Sequence, residues 1–165
     1  MKFKKKYRLS EQRGMQAVSY RIIVDTNLWI SYLISNSFEK LDDLILGNKI
    51  VLVYSQELLE EFIEVSQRPK FKKYFSEEHV LQLLDLMRIF GEPVDVKSIA
   101  AVCRDAKDNF LLSLAKDGNA DFLITGDDDL LAIKSFEQTK ILSFNEFLSI
   151  VSDPGSISLE DLIAL

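Results

Sequence analysis

The chain is expected to fold as an α/β domain, a three-layer α/β/α sandwich around a mostly parallel sheet of about five strands. Three observations carry this expectation. Short runs of branched apolar residues recur along 165 residues, each followed by a stretch of helical periodicity. The runs are rich in Ile, Val and Leu, as strands covered on both faces are. The length suits one domain built around one core.

"RIIV" at 21–24 reads as a buried strand, and Phe38, Leu41, Leu44 and Ile45 follow at helical spacing, with Gly47 as the stop. "KIVLVYS" is a second strand. "QELLEEFIEVSQR" is a helix with Ser55 as N-cap, ended by Pro69. Leu81, Leu84, Leu86 and Met87 mark a further helix that stops near Gly91, and "PVDV" is a short third strand. "DNFLLSLAKDG" is a helix closed by Gly118, "DFLITG" a fourth strand, and "KILSF" a fifth that runs into the helical "NEFLSIV". After "SDPGS", Leu159, Leu162 and Ile163 predict a short amphipathic helix that docks on its own domain or on a partner.

Composition narrows the class. Hydrophobic residues make up 47% and charged residues 28%, an ordinary globular balance. No apolar run approaches a bilayer span, and no apolar stretch of a secretory leader follows the charged N-terminus. A single cysteine forms no internal disulfide, which together with the missing leader predicts a reducing, cytoplasmic setting. Cys103 reads as a small buried hydrophobe, since the one histidine, His79, lies in a charged stretch with no sign of pairing with it. Net charge is −6, yet Lys2, Lys4, Lys5, Lys6, Arg8 and Arg13 crowd the start, leaving the remainder strongly acidic. Such a body does not grip nucleic acid unless cations neutralise part of it. The basic arm is either a phosphate contact or a leader before Met15 that lies outside the folded unit.

In open parallel sheets, sites form outside the carboxyl ends of the strands. Asp25 ends the first strand, and "TGDDDLL" sets Thr125, Asp127, Asp128 and Asp129 after the fourth, at the same edge. Two helices bring further acids. At about 100° per residue, Leu58, Leu59, Phe62, Ile63 and Val65 form one apolar arc. Glu57, Glu60 and Glu64 face away from it, and Glu61 lies at its margin. In the helix from Asp108, the arc is Phe110, Leu111, Leu112, Leu114 and Ala115, with Asp108 inside it and Asp105 and Asp117 at or beyond its edge. A carboxylate against such a surface must be paired or bound to metal. Taken one at a time, Asp108 is also placed to cap or to meet a helix dipole, and Asp127 to Asp129 to form a turn. Jointly, acids at two strand ends and on two apolar-facing helices converge on one rim. No lysine or arginine stands beside each of them to neutralise it. Clustered hard oxygen ligands are what Mg²⁺ or Mn²⁺ requires.

The segments "VDTNLWISYL", "SQELLEEFIEVSQRPKF", "RDAKDNFLLSLA" and "ADFLITGDDDLL", in that order, resemble the PIN-domain family of metal-dependent nucleases. More narrowly, they resemble its VapC-like toxins, components of bacterial or archaeal toxin–antitoxin pairs. The resemblance spans residues 21–150, leaving a basic arm at 1–20 and a tail at 151–165. It implies an acidic quartet at Asp25, Glu61, Asp108 and Asp127 that holds one or two Mg²⁺ or Mn²⁺ ions for hydrolysis of RNA phosphodiester bonds. Asn27 and Thr125 match the family's polar supports, and Asp129 its accessory acid. It also implies a small antitoxin as partner, and homodimers are common among such proteins. Arg68, Lys70 and Phe71 match a subfamily feature that contacts RNA or packs the helix end. Arg68, Lys70 and Lys134 are the expected phosphate contacts.

Other readings share parts of this pattern, and a receiver domain, which needs further acids adjacent to Asp25 for its metal, is the weaker of them. A non-catalytic PIN module that binds nucleic acid or a partner shares every one of these motifs. A haloacid-dehalogenase-type phosphatase needs a second aspartate two residues after the first, where this chain has Asn27. A dinucleotide-binding domain lacks its G-x-G-x-x-G.

Overall fold

The computed structural model describes residues 19–35 and 39–152. The basic arm up to residue 18, Phe38 and the tail from residue 153 lie outside the described residues. Elements run in the order β1 (Tyr20–Val24), α1 (Thr26–Ser35), α2 (Glu39–Leu46), β2 (Ile50–Tyr54), α3 (Gln56–Ser66), α4 (Glu77–Phe90), β3 (Gly91–Pro93), α5 (Asn109–Asp117), β4 (Phe122–Ile124), α6 (Asp128–Leu131), β5 (Ser135–Phe136), β6 (Thr139–Leu142) and α7 (Phe144–Ser152). Short 3₁₀ turns at Pro69–Phe71 and Ala106–Asp108 precede α4 and α5.

The six strands order as β3-β2-β1-β4-β6-β5, all parallel except the β5–β6 pair. The alternation of a strand's side chains builds two cores from one run of residues. Ile22 and Val24 join Leu52, Phe122 and Ile124 under α1, α2, α4 and α7. Ile23 turns to the opposite face with Val53, Leu123 and Ile141, beneath the Leu111, Leu112, Leu114 and Ala115 stripe of α5. α3 serves both cores, with Phe62 and Val65 on one side and Leu58 on the other. The expected three layers are therefore present. Among the described residues, no helix is long and apolar enough to cross a membrane.

Several elements depart from expectation. The sheet has six strands rather than about five, because Ser135–Phe136 doubles back on β6. The turn residue Glu137 adopts a left-handed φ of 51°, and a glutamate there gives none of the Asn-Gly or Gly-Gly signal of a tight hairpin. α1 begins directly after Asp25. Leu28 and Trp29 N–H donate to the Asp25 carbonyl and Asn27 N–H to its carboxylate, so the strand-ending acid also starts a helix. α2 ends at Leu46, but the left-handed residue is Asn48 (φ 52°) rather than Gly47.

The third strand occupies Gly91–Pro93, not "PVDV". It pairs Leu52 with Gly91 and Tyr54 with Pro93, and Val94 N–H donates to the Tyr54 carbonyl at 2.8 Å. Gly91 thus both closes α4 and opens β3, with no connecting loop. A Cβ there would lie 2.4 Å from the Met87 carbonyl oxygen and 2.7 Å from the Tyr54 ring.

Gly91→Ala is therefore expected to cost about 1–3 kcal/mol by overpacking. Gly126→Ala, whose Cβ meets nothing closer than Leu28 at 3.8 Å, should stay within about 0.5 kcal/mol of the wild type. Urea titration of both variants measures the contrast.

Candidate functional site

β1 and β4 are neighbours, with Val24 opposite Ile124. The chain moves from β1 to β2 and β3 on one side and later returns to β4 on the other, which makes the β1/β4 boundary a topological switch point. Asp25 and Thr125 are the next residues on these two strands. Asp25 N–H continues the ladder to the Ile124 carbonyl at 3.0 Å, and the Thr125 hydroxyl donates to Asp25 Oδ2 at 2.7 Å. Thr125 is fully buried and Asp25 is 5% exposed. The same threonine oxygen accepts from Asp127 N–H at 3.0 Å, so one buried hydroxyl fixes two of the four acids. Removing a partner in such a buried chain leaves a polar group unsatisfied, at about 1–3 kcal/mol.

Glu61 is half-buried on α3, while Glu57, Glu60 and Glu64 are exposed, as the helical arc required. Ser55 caps that helix, accepting from Leu58 N–H. α1 packs on α3, and the Thr26 hydroxyl donates to Glu61 Oε2 at 2.5 Å. Asp108 is half-buried at the junction of the 3₁₀ turn and α5 and makes no capping hydrogen bond. Asp105 does the capping instead, accepting from Lys107 N–H. Asp117 has a role of its own, accepting from Lys97 N–H, Ser98 N–H and the Ser98 hydroxyl to hold the loop before Cys103. Asp127 combines two roles. Its Oδ1 accepts from Asp129 and Leu130 N–H to start α6, a turn function that leaves Oδ2 outside the cap.

The electrostatics tie the acids together. Burial pushes the Asp25 carboxyl above its ordinary range, against the hydrogen bonds from Thr125 and Asn27 N–H, and the charge of Asp127 adds to the rise. Burial, then the charges of Asp127, Asp105, Asp25 and Glu61, push Asp108 up to about 6. All four acids of the expected quartet thus share one neighbourhood. Among the described residues, no lysine or arginine ion-pairs with any of them.

The donor set fits a hard divalent cation: carboxylate oxygens only, with Asp25 and Asp108 raised, and among the described residues no base ion-paired to the four. It is not closed. Among the described residues, no three acidic, histidine or cysteine side chains already stand at the spacing of a metal's ligand sphere.

The remaining expected residues divide. Thr125 is a support through its side chain; Asn27 is exposed and reaches Asp25 through its main-chain N–H. Asp129 is taken by an arginine, Arg104, in an ion pair. Arg68 pairs with Glu64 at 3.8 Å and Lys70 lies over the Phe71 ring at 4.8 Å, both about two helical turns beyond Glu61. Phe71 stacks on Phe75, the packing alternative for "RPKF". Lys134 is exposed in the turn before β5 with φ 64°. No contact joins these three bases to the acids. A groove of about 820 Å³ between the end of α3 and the start of α4, lined by Ile63, Phe75, Val80, Leu81 and Leu84, includes none of the four acids. Cys103 is buried, and His79 accepts from Ser76 N–H at the start of α4.

Two residues of the site were not singled out in the sequence. Thr26 follows Asp25 directly, and a threonine in a first helical turn facing an acidic helix was its only signal. Arg104 stands four residues before Asp108, and its partner on α6 is remote in sequence.

Fold and site define a class: an α/β domain with a carboxylate cluster at the switch point of a parallel sheet. A family model for the PIN domain matches residues 21–129, and the chain belongs to that family. It is 32% identical over 134 residues to the uncharacterized protein MJ1680 of Methanocaldococcus jannaschii, covering 79% of this chain and 84% of that protein. Its fold is similar to two crystal structures, each at TM-score 0.50 and 15% identity. VapBC2 from Rickettsia felis, bound to a DNA fragment from its promoter, covers 75% of this chain and is itself covered to 98%. PAE2754 from Pyrobaculum aerophilum covers 88% of this chain and is covered to 99%.

The raised Asp108 carboxyl carries a sign for stability. Its folded value of about 6 lies above the ordinary 3.8, so its contribution is fully present below about pH 3.8 and is lost as pH rises through about 6. Asp25 acts in the same direction. In metal-free protein, Asp108→Asn should melt close to the wild type at pH 4 and above it at pH 7. Scanning calorimetry at the two pH values reads the difference.

Proposed function

We propose that this chain is a divalent-metal-dependent endoribonuclease of the cytoplasm, and the toxin of a toxin–antitoxin pair. One observation carries the reading: Asp25 and Asp108 are raised by burial and by the charges of acids distant in sequence, Asp127 and Glu61 among them, and among the described residues no base ion-pairs with any of the four. Asp25, Glu61, Asp108 and Asp127 would hold Mg²⁺ or Mn²⁺. Bound there, the ion supplies neutralisation of the acids, charge stabilisation of the phosphodiester and a lowered pKa for the attacking water. The protein's part is orientation. Thr125 holds Asp25 and the Asp127 backbone, Thr26 holds Glu61, and the α6 cap fixes the Asp127 rotamer, which are supports outside the ligand sphere.

RNA as substrate, a small antitoxin as partner and a homodimer follow from the motif resemblance to VapC-like toxins. A short open reading frame overlapping this one would support the pair.

A second reading shares every one of the motifs: a PIN module that binds nucleic acid or a partner without cutting. Calorimetric titration with Mn²⁺ separates the two. The nuclease reading expects binding that Asp25→Asn abolishes; no binding favours the non-catalytic module. Asp25→Asn and Asp108→Asn should each lower Mn²⁺-dependent RNA cleavage by more than the roughly 10–100-fold typical of losing an outer-sphere partner. Intact cleavage in either variant overturns the assignment, and turnover of small phosphate esters by the wild type would point to a phosphatase instead.

A further inference from the structure

An acidic domain with a carboxylate cluster at its site repels the phosphates of the substrate proposed for it. A cation of the protein's own would have to receive the strand, and the bases expected to do so, Arg68, Lys70 and Lys134, make no contact with the cluster. Arg104 does stand there. Its guanidinium ion-pairs with Asp129 Oδ1, on the helix that Asp127 caps.

Its setting separates a fixed backbone from an open side chain. Asn109 Oδ1 accepts from both Val102 N–H at 3.0 Å and Cys103 N–H at 2.9 Å, and Cys103 is buried. On the other side, Asp105 caps the 3₁₀ turn through Lys107 N–H. The main chain at 104 is thus pinned at both neighbours. The Arg104 side chain is nevertheless 86% exposed, against 24% for Asp129. One N–H group meets one carboxylate oxygen, and most of the five-donor fork faces solvent.

The geometry points to Arg104 as the phosphate anchor of the site: it exchanges its ion pair with Asp129 for a phosphodiester of the bound RNA strand. The exchange is favoured on physical grounds. An exposed ion pair is weak, whereas a guanidinium fork meets a phosphate with two parallel charge-assisted hydrogen bonds. Lys107, three residues on, is a point charge without that fork and makes no side-chain contact with the acids. In the RNA-free protein, Asp129 parks the guanidinium at the rim and keeps it from the quartet.

This inference rests on the nuclease reading for its substrate, and two measurements keep them apart. The first is fluorescence anisotropy of a labelled single-stranded RNA oligonucleotide on the full chain without added divalent ion. The second is steady-state cleavage of the same RNA in Mn²⁺ across a salt series. Arg104→Ala is expected to weaken binding about tenfold, to raise KM more than it lowers kcat, and to flatten the salt slope by about 0.7, the share of one single-strand phosphate. Arg104→Lys should recover part of the affinity. Asp129→Asn, which breaks the ion pair but keeps the arginine, should bind RNA as well as the wild type or better. If Arg104 only braces α6, Asp129→Asn weakens RNA binding as much as Arg104→Ala does, and the proposal is overturned. Unchanged affinity and slope in Arg104→Ala overturn it too. RNA that binds but is not cut removes the nuclease reading, while the affinities of the variants still decide Arg104. No RNA binding without divalent ion together with no cleavage in Mn²⁺ by the wild type overturns both; cleavage without measurable metal-free binding leaves KM and its salt slope to decide Arg104.

Discussion

One hydrogen bond organises this molecule, from the buried Thr125 hydroxyl to the carboxylate of Asp25. It exists because β1 and β4 pair in parallel with Val24 opposite Ile124, so the next residue of each strand emerges at the same point of the sheet edge. An ionisable group at 5% exposure is costly, and this one is kept by a hydroxyl and a main-chain N–H rather than by a base. Around it the other acids are added from independent elements. α3 brings Glu61, the turn before α5 brings Asp108, and the α6 cap brings Asp127. Moving the β1–β4 register by one residue would exchange side chains between the two cores and dismantle the site with them.

Much of this was legible because the signals were local. "IIV" and "FLI" are apolar throughout, and each is followed by its acid or hydroxyl within one residue. The preference for Glu61 over three neighbouring glutamates needed only the angular position of Phe62 and Val65, and the observed burial follows that arc. Ser55 as N-cap and Gly118 as the end of α5 rest on short-range backbone chemistry that tertiary packing left undisturbed.

What stayed hidden was not local. "NLWISYLIS" is apolar nearly all round, so its helix shows no stripe, and only the cap at Asp25 marks its start. Gly91 reads as a helix stop, whereas its second task, opening β3 against Tyr54, is set by a strand far away in sequence. The hairpin at Glu137 uses a residue that carries no turn signal. Arg104 pairs with Asp129 across 25 positions, and no pattern in either segment announces it. The accessory acid Asp129 is thus paired with a base that the sequence does not set beside it.

The site is a point of tension. Burial and neighbouring carboxylates raise the proton affinity of Asp25 and Asp108, which costs the fold stability when they ionise, and the apolar layers on both sides of the sheet offset the cost. A shared divalent cation would remove the repulsion and draw the side chains into a closed ligand sphere. Anomalous diffraction from crystals soaked in Mn²⁺ tests this most directly. The account predicts a manganese peak at the β1/β4 edge within ligand distance, about 2.0–2.3 Å, of oxygens from Asp25 and at least one of Glu61, Asp108 and Asp127. A peak confined to other carboxylates, or none at saturating Mn²⁺, would contradict it.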